Sequence, residues 1–302
     1  MDVRDNFSIV IPFYNRAKWL PATLASLSDL LTWPVELIFV DNQSTDLSVQ
    51  LIERFMADNS QSAASVRLLS EPKRGAAAAR NCGLHAATRP YVFFFDSDDE
   101  FSLSHLEEAL PHVGTTDLIL SATRMRLTSG RITARRGCRT LSPADQILTS
   151  QLSTQSMIFR TDFLKRIGGW NENLPIWNDW ELGIRALKSE PRAVWLSHAH
   201  HLINQHANSI TGTDRKSHFS GYLSAINAVD HMTLTSHERH ALRARTTILA
   251  AELRSEKAHE ESQALLQAYP LTNAAYKLLF LYARTLHKGS WWLYRNLLGK
   301  SL

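Results

Sequence analysis

The sequence predicts an α/β protein with a mostly parallel mixed sheet flanked by helices and a helical appendage at its C-terminal end. Three observations carry this. Up to about residue 95, short apolar runs rich in β-branched and aromatic residues alternate with helical patterns, which is the spacing of βαβ units. After Asp117 strands follow one another directly, two of them joined through Ser129-Gly130, so the sheet becomes mixed. From about Asp214 only helical patterns remain, with breaks at 233–236 and at Pro270.

In order, residues 7–13 (FSIVIPF) form a buried strand, since a continuous apolar run leaves no face for water. A helix over 18–31 follows, then a strand over 35–40 (VELIFV) and a helix over 47–57. Strands at 66–70 and 91–95 (YVFFF) enclose an alanine-rich helix over 75–87, and 102–110 forms the next helix. Residues 118–128 and 131–135 read as a hairpin, with short strands at 156–159 and 193–196. The division expected is a catalytic domain over 1–212, with its nucleotide half up to about 100, and a helical region over 213–302.

With 302 residues, 44% of them hydrophobic and 21% charged, the chain has material for a large core. Cys82 and Cys138 form no zinc or disulfide spacing, which fits a reducing cytoplasm. The N-terminal stretch reads as a strand and not a secretory signal, and no apolar stretch reaches transmembrane length. The net charge is +4, yet Lys277, Arg284, Lys288, Arg295 and Lys300 follow the last acid, Glu261, leaving residues 1–261 at −1. The excess belongs to the tail and not to a groove, so nucleic acid is not the expected partner.

In parallel sheets ligands bind beyond the carboxyl ends of the strands, and there the chemistry gathers. Asp96-Ser97-Asp98-Asp99 crowds three carboxylates at the end of an apolar strand. Their repulsion is relieved by a hard cation such as Mg²⁺ or Mn²⁺, which also binds phosphate; the bland reading is that Asp98 and Asp99 cap the next helix. Asp41-Asn42-Gln43-Ser44-Thr45-Asp46 is a second acidic strand end, where Ser44 could cap a helix. Lys73-Arg74-Gly75 and Arg80-Asn81 flank four alanines, and cations there could meet a diphosphate or simply be solvated. Asn178 and Glu181 have the form of a capping box, which leaves Asp179, between Trp177 and Trp180, either to answer the helix dipole or to act as a general base beside surfaces suited to a sugar ring.

Taken together and in order, IVIPFYNR at 9–16, VDNQSTD, Arg74-Gly75 with Ala79-Arg80-Asn81, FFFDSDD and IGGWNE…WNDWELGIR resemble the family-two inverting glycosyltransferases of the GT-A, Rossmann-like fold, over residues 7–210. The resemblance implies a nucleotide base and ribose held by Pro12, Phe13, Tyr14, Asn15, Arg16, Asp41 and Asn42, with Gly75, Arg80, Asp96 and Ser97 toward the donor. It implies a Mn²⁺ or Mg²⁺ ion on Asp98, with Asp96 or Asp99, and His206 of QHANS near metal and diphosphate, although a lone histidine is more often structural. Asp179 matches the catalytic base. Many members carry a second acid where Asn42 stands; its amide oxygen could still meet a uracil imide, so UDP-sugars are favoured as donors and dTDP-sugars stay open.

The implied activity is transfer of a sugar to an acceptor hydroxyl with inversion, in synthesis of a bacterial surface glycan, on a glycan or lipid-linked acceptor. Two alternatives share the frame: a sugar nucleotidylyltransferase, whose glycine-rich basic signature is replaced here by PFYNRAKW, and a non-catalytic sugar-nucleotide or glycan binder. The basic, aromatic, acid-free segment 271–302 either touches the inner face of a membrane or packs back through Leu278, Leu279, Leu281 and Leu297.

Overall fold

A computed structural model describes residues 3–134, 139–205, 215–286 and 290–294. The chain divides into two compact units, Met1–Gly137 with Leu152–His206, and Cys138–Gln151 with Ala207–Leu302. Residues 138–151 thus go with the C-terminal helices, which a contiguous division at 212 leaves in the catalytic part.

The first unit is built on β1 (Phe7–Phe13), β2 (Glu36–Asp41), β3 (Ser65–Ser70), β4 (Tyr91–Phe94), β5 (Leu118–Arg126), β6 (Ile132–Ala134), β7 (Met157–Arg160) and β8 (Ala193–Asn204). The strand order is β3-β2-β1-β4-β7-β5, with β6 and β8 both pairing β5. The first four strands are mutually parallel; β7 runs antiparallel to β4 and β5, and β8 runs parallel to β5 with irregular register around Ala122. The hairpin expected around Gly130 forms, as β6 returns antiparallel on β5.

Strand alternation splits the apolar residues between two faces. Phe7, Ile9, Ile11 and Phe13 of β1 join Leu37, Phe39, Phe93 and Phe95 on one face, while Val10 joins Ile38, Val40, Val92 and Phe94 on the other. Each such fully buried side chain contributes about 1.5–3 kcal/mol. The first face is covered by α1 (Leu20–Ser26) and α2 (Ser48–Asp58), the second by α3 (Ala76–Ala86), α6 (Thr161–Arg166) and α7 (Asn178–Lys188). α3 lies close on the sheet because a Cβ at Gly83 would come within 2.2 Å of Val10 Cγ1. The helix expected over 18–31 is interrupted: α1 ends at Ser26 and a short 3₁₀ turn, Asp29–Thr32, follows. α4 (Ser104–Ala109) begins after Leu103, so neither Asp98 nor Asp99 caps it.

The second unit contains α5 (Pro143–Thr149), α8 (Phe219–Asp230), α9 (Ser236–Ser255), α10 (His259–Ala268), α11 (Ala274–Leu286) and α12 (Ser290–Leu293). α9 starts at a capping box: Thr235 Oγ1 accepts the Glu238 amide at 3.2 Å, and Glu238 accepts the Thr235 amide at 2.8 Å. On α11, Tyr276, Leu279 and Ala283 are buried while Leu278 and Leu281 are 53% and 56% exposed. Leu279 alone is buried among the three leucines of that helix named from sequence; Leu297 lies outside the described residues. Among the described residues no helix is long and apolar enough to cross a membrane.

Candidate active site at the strand ends

The turns after β1 and β2 are laced together. Asn15, at φ +51°, receives the Thr45 amide on Oδ1 at 2.8 Å and gives its own amide to Ser44 Oγ at 3.1 Å. The Arg16 amide donates to Ser48 Oγ at 2.7 Å, and the Ala17 amide to Asp46 at 3.1 Å. Burial pushes the Asp46 carboxyl up, but the donors of Ser48 and Ala17 outweigh it and hold the pKa below its ordinary value. Asp41 accepts the Ser44 amide at 2.9 Å, so Ser44 is tied to the turn and does not cap α2, whose N-cap is Leu47. Pro12 and Phe13 are buried beneath; Tyr14 is 41% exposed, with the Arg74 guanidinium 4.1 Å from its ring centroid.

Asn42 is buried and fully engaged. Its amide nitrogen donates to the carbonyls of Glu71 (3.0 Å) and Lys73 (2.7 Å), and its oxygen accepts the Gly75 amide at 2.8 Å. The oxygen that the resemblance offers to a base thus also pins the 71–75 segment. Gly75 sits at φ +130°, a conformation a side chain would strain, and leaves the N-terminus of α3 without a side-chain cap.

At the end of β4 the three aspartates take different surroundings. Asp96 is paired with Arg80 at 2.9 Å, and Asp98 with Arg16 at 3.4 Å. Asp99 is buried, one oxygen accepting Gln155 Nε2 at 2.5 Å and the other the Asn204 amide at 2.6 Å. Burial, with the like charges of Asp96 and Asp98, pushes its carboxyl up to about 8 against the pull of those two donors. Asp99, which the resemblance offers as a ligand, is thus held by Gln155 and Asn204. Ser97 is also buried; its carbonyl accepts Thr23 Oγ1 at 3.1 Å. Among the described residues no group of three or more His, Cys, Asp or Glu side chains is arranged to hold a metal by itself. Asp96 and Asp98 do fit a hard cation in chemistry, since Mg²⁺ commonly takes one or two carboxylates and completes its shell with substrate phosphates. His206 lies outside the described residues.

α7 starts at Asn178, after Trp177 in a left-handed conformation (φ +54°), with no side-chain cap. The capping box expected from Asn178 and Glu181 does not form: Asn178 accepts Arg80 Nη1 at 3.4 Å, and Glu181 pairs with Arg185 at 2.8 Å. Asp179 is half-buried in the first turn, its Oδ1 2.8 Å from the Trp180 amide, beside the Trp177 and Trp180 rings, whose centroids are 4.9 Å apart.

Lys73 and Asn81, read from sequence as flanking the four alanines, tie this arrangement together. Asn81 accepts the Trp170 amide at 2.9 Å and donates to the Trp170 carbonyl and to Glu172 at 2.7 Å. Lys73 closes on the same Glu172 at 2.6 Å; its pKa is lowered by Asn81 first and then by Lys73. Gln155 and Asn204 had no pattern that would have found them. Behind the acidic turn, the Ser102 amide donates to His201 Nδ1 at 3.2 Å, which leaves the ring's N–H on Nε2, toward buried His105. Glu108 of α4 accepts the Ser197 amide at 2.7 Å and His200 Nε2 at 2.6 Å, and Glu100 and Leu202 exchange both backbone bonds.

With this geometry in view, the family model described as "Glycosyl transferase family 2" matches residues 8–167. Among curated proteins, an uncharacterized glycosyltransferase YibD of Escherichia coli is 37% identical over 33% of this chain and 28% of its own length. The amylovoran biosynthesis glycosyltransferase AmsB of Erwinia amylovora is 36% identical over 35% of each chain, so the matches span well under half of these relatives. The crystal structure of Staphylococcus aureus TarS with UDP-GlcNAc superposes with a TM-score of 0.65 over 96% of this chain and 91% of that one, at 21% identity. A Pyrobaculum calidifontis mannosyltransferase with GDP-Man and Mn²⁺ gives 0.61 at 16% identity, over 98% of this chain and 82% of that one. The fold is thus the mixed α/β GT-A sheet expected from the sequence.

Proposed function

Because the chain belongs to glycosyl transferase family 2, we propose that it transfers a sugar from a nucleoside diphosphate to an acceptor hydroxyl, inverting the anomeric centre. The observation that carries this reading is Asp179, a half-buried carboxylate in the first turn of α7 beside two tryptophan rings. Asp179 takes the proton of the acceptor hydroxyl as that oxygen attacks the anomeric carbon, a role that depends on contact geometry before pKa. The bond from that carbon to the diphosphate breaks as the new one forms, and its electron pair leaves with the nucleotide. Asp98, with Asp96, would hold the Mg²⁺ or Mn²⁺ ion, which when bound supplies neutralising charge at the diphosphate. Arg16, 3.4 Å from Asp98, lies at the same strand ends.

UDP-sugars are the donors we favour, with dTDP-sugars as the alternative. TarS was crystallised with UDP-GlcNAc, which supports a uridine donor, while the Pyrobaculum enzyme with GDP-Man keeps guanosine within the test. A glycan or lipid-linked acceptor of a bacterial surface polymer accords with the amylovoran and poly(ribitol-phosphate) names of the relatives. Contact with the inner face of a membrane through 271–302 is supported by exposed Leu278 and Leu281 between exposed Lys277 and Arg284. Loss of liposome sedimentation on deleting 271–302 supports that contact; no sedimentation of the intact chain refutes it.

The test of the transferase reading is nucleotide release from UDP-, dTDP- and GDP-sugars with Mn²⁺, Mg²⁺ or EDTA. Metal-dependent release from one donor is expected. No release and no nucleotide binding by calorimetry would refute the reading.

A further inference from the structure

Arg80 and Asn81 are neighbours on α3, yet they hold different parts of the site. The Arg80 guanidinium is buried and meets three elements: Asp96 at 2.9 Å after β4, Asn178 Oδ1 at 3.4 Å at the start of α7, and the Trp170 ring, 4.5 Å away by centroid. Arginine's planar fork sets the distance between two acceptors, which a lysine ammonium does not do. Its side chain is only 8% exposed: Nη1 reaches Asn178 and Nη2 reaches Asp96, while Nε is buried without a hydrogen-bond partner.

Arg80 meets α7 at its first turn. That turn follows a left-handed Trp177 and lacks a side-chain cap; Asn178, which could have supplied one, is committed to Arg80. Further along, Arg185, paired with Glu181 of the same helix, fastens it to the carbonyls of Ile167 and Gly169, a tie that does not involve Arg80. Asn81 fixes Trp170 from the other side through its amide and carbonyl.

We propose that Arg80 is a positioning residue that, through Asn178, sets the first turn of α7 and Asp179 relative to Asp96 at the end of β4, and that it does not hold the donor diphosphate itself. The catalytic consequence rests on the reading of Asp179 given above. Misplacing a reacting group by about 1 Å can cost on the order of 100-fold in rate, so a short link of this kind is worth conserving in geometry rather than in charge.

The experiment uses the full chain with Arg80→Lys, Asn178→Ala and the double variant, each checked for folding by thermal melt. Hydrogen exchange at the amides of residues 179–182 is expected to quicken in both single variants, with the β1–β4 amides unchanged. kcat is expected to fall about 10–100-fold with donor KM within about threefold, the double variant being no worse than the weaker single. Unchanged exchange at 179–182 in both variants overturns the proposal. So does a donor KM raised about tenfold in Arg80→Lys while Asn178→Ala keeps wild-type kcat, which is the pattern of direct phosphate contact. If wild type neither releases nor binds nucleotide with any donor, the transferase reading fails by itself, and the exchange comparison still decides whether Arg80 positions α7.

Discussion

The Asn42 side-chain oxygen and the Gly75 amide meet at 2.8 Å, while the Asn42 nitrogen serves two carbonyls of the same segment. Asn42→Asp keeps the shape but removes both donors and buries a charge. It is expected to destabilise the fold by about 1–3 kcal/mol in urea unfolding. The ranking of UDP-, dTDP- and GDP-sugars in nucleotide binding should stay as in wild type; a reordered ranking would return Asn42 to the base.

Asp179→Asn keeps the hydrogen bond to the Trp180 amide through its carbonyl oxygen and removes the proton acceptor. Transfer should fall by about 10²–10⁴-fold while the melting temperature and donor binding hold. A rate within about threefold of wild type, measured as product formed per enzyme, would show that another group takes the proton.

Asp98→Ala tests the cation. Calorimetric titration of UDP should be tighter with Mn²⁺ than with EDTA for wild type, and the two titrations should coincide for the variant. Asp99→Asn should instead keep the metal-linked increment, because Asp99 serves Gln155 and Asn204.

Glu108 gives a pH dependence away from catalysis. Burial raises its pKa, but the Ser197 amide, His198 and His200 outweigh that and bring it from 4.5 to about 2. A carboxyl depressed in the folded state contributes stability that is complete above about pH 4.5 and lost as pH falls toward 2. His200, whose pKa is lowered by burial, adds loss in the same direction below its ordinary 6.5, so it donates to Glu108 as a neutral ring. Allowing for solvent screening of a partly exposed carboxylate, Glu108→Gln should remove about 1–2 kcal/mol at pH 6 and flatten the stability curve between pH 4.5 and 2.

How far the sequence reached depends on where each residue's partners lie. The run Phe93-Phe94-Phe95 could only be interior strand, and the parallel sheet followed from such runs and the helices between them. Which of the three aspartates turns inward was not legible, since Asp99 is chosen by Gln155 and Asn204, 56 and 105 positions away. Asn178 and Glu181 carry a capping pattern, but Arg80 and Arg185 claim both side chains. α5 had a readable signal that was passed over: Ser142 before Pro143, its hydroxyl accepting the Asp145 amide.

β8 has its own consequence. Its outward amides are taken at Ser197 by the Glu108 carboxylate, at Leu202 by the Glu100 carbonyl and at Asn204 by Asp99. An unprotected strand of this length is a template onto which another chain can add. Here the segment running from the acidic turn into α4 closes the template at three points and places carboxylates along it. Colloidal behaviour is therefore tied to the same short stretch that carries the chemistry. Variants that loosen residues 99–108 should show light scattering at concentrations where wild type stays clear, before any unfolding is seen by circular dichroism.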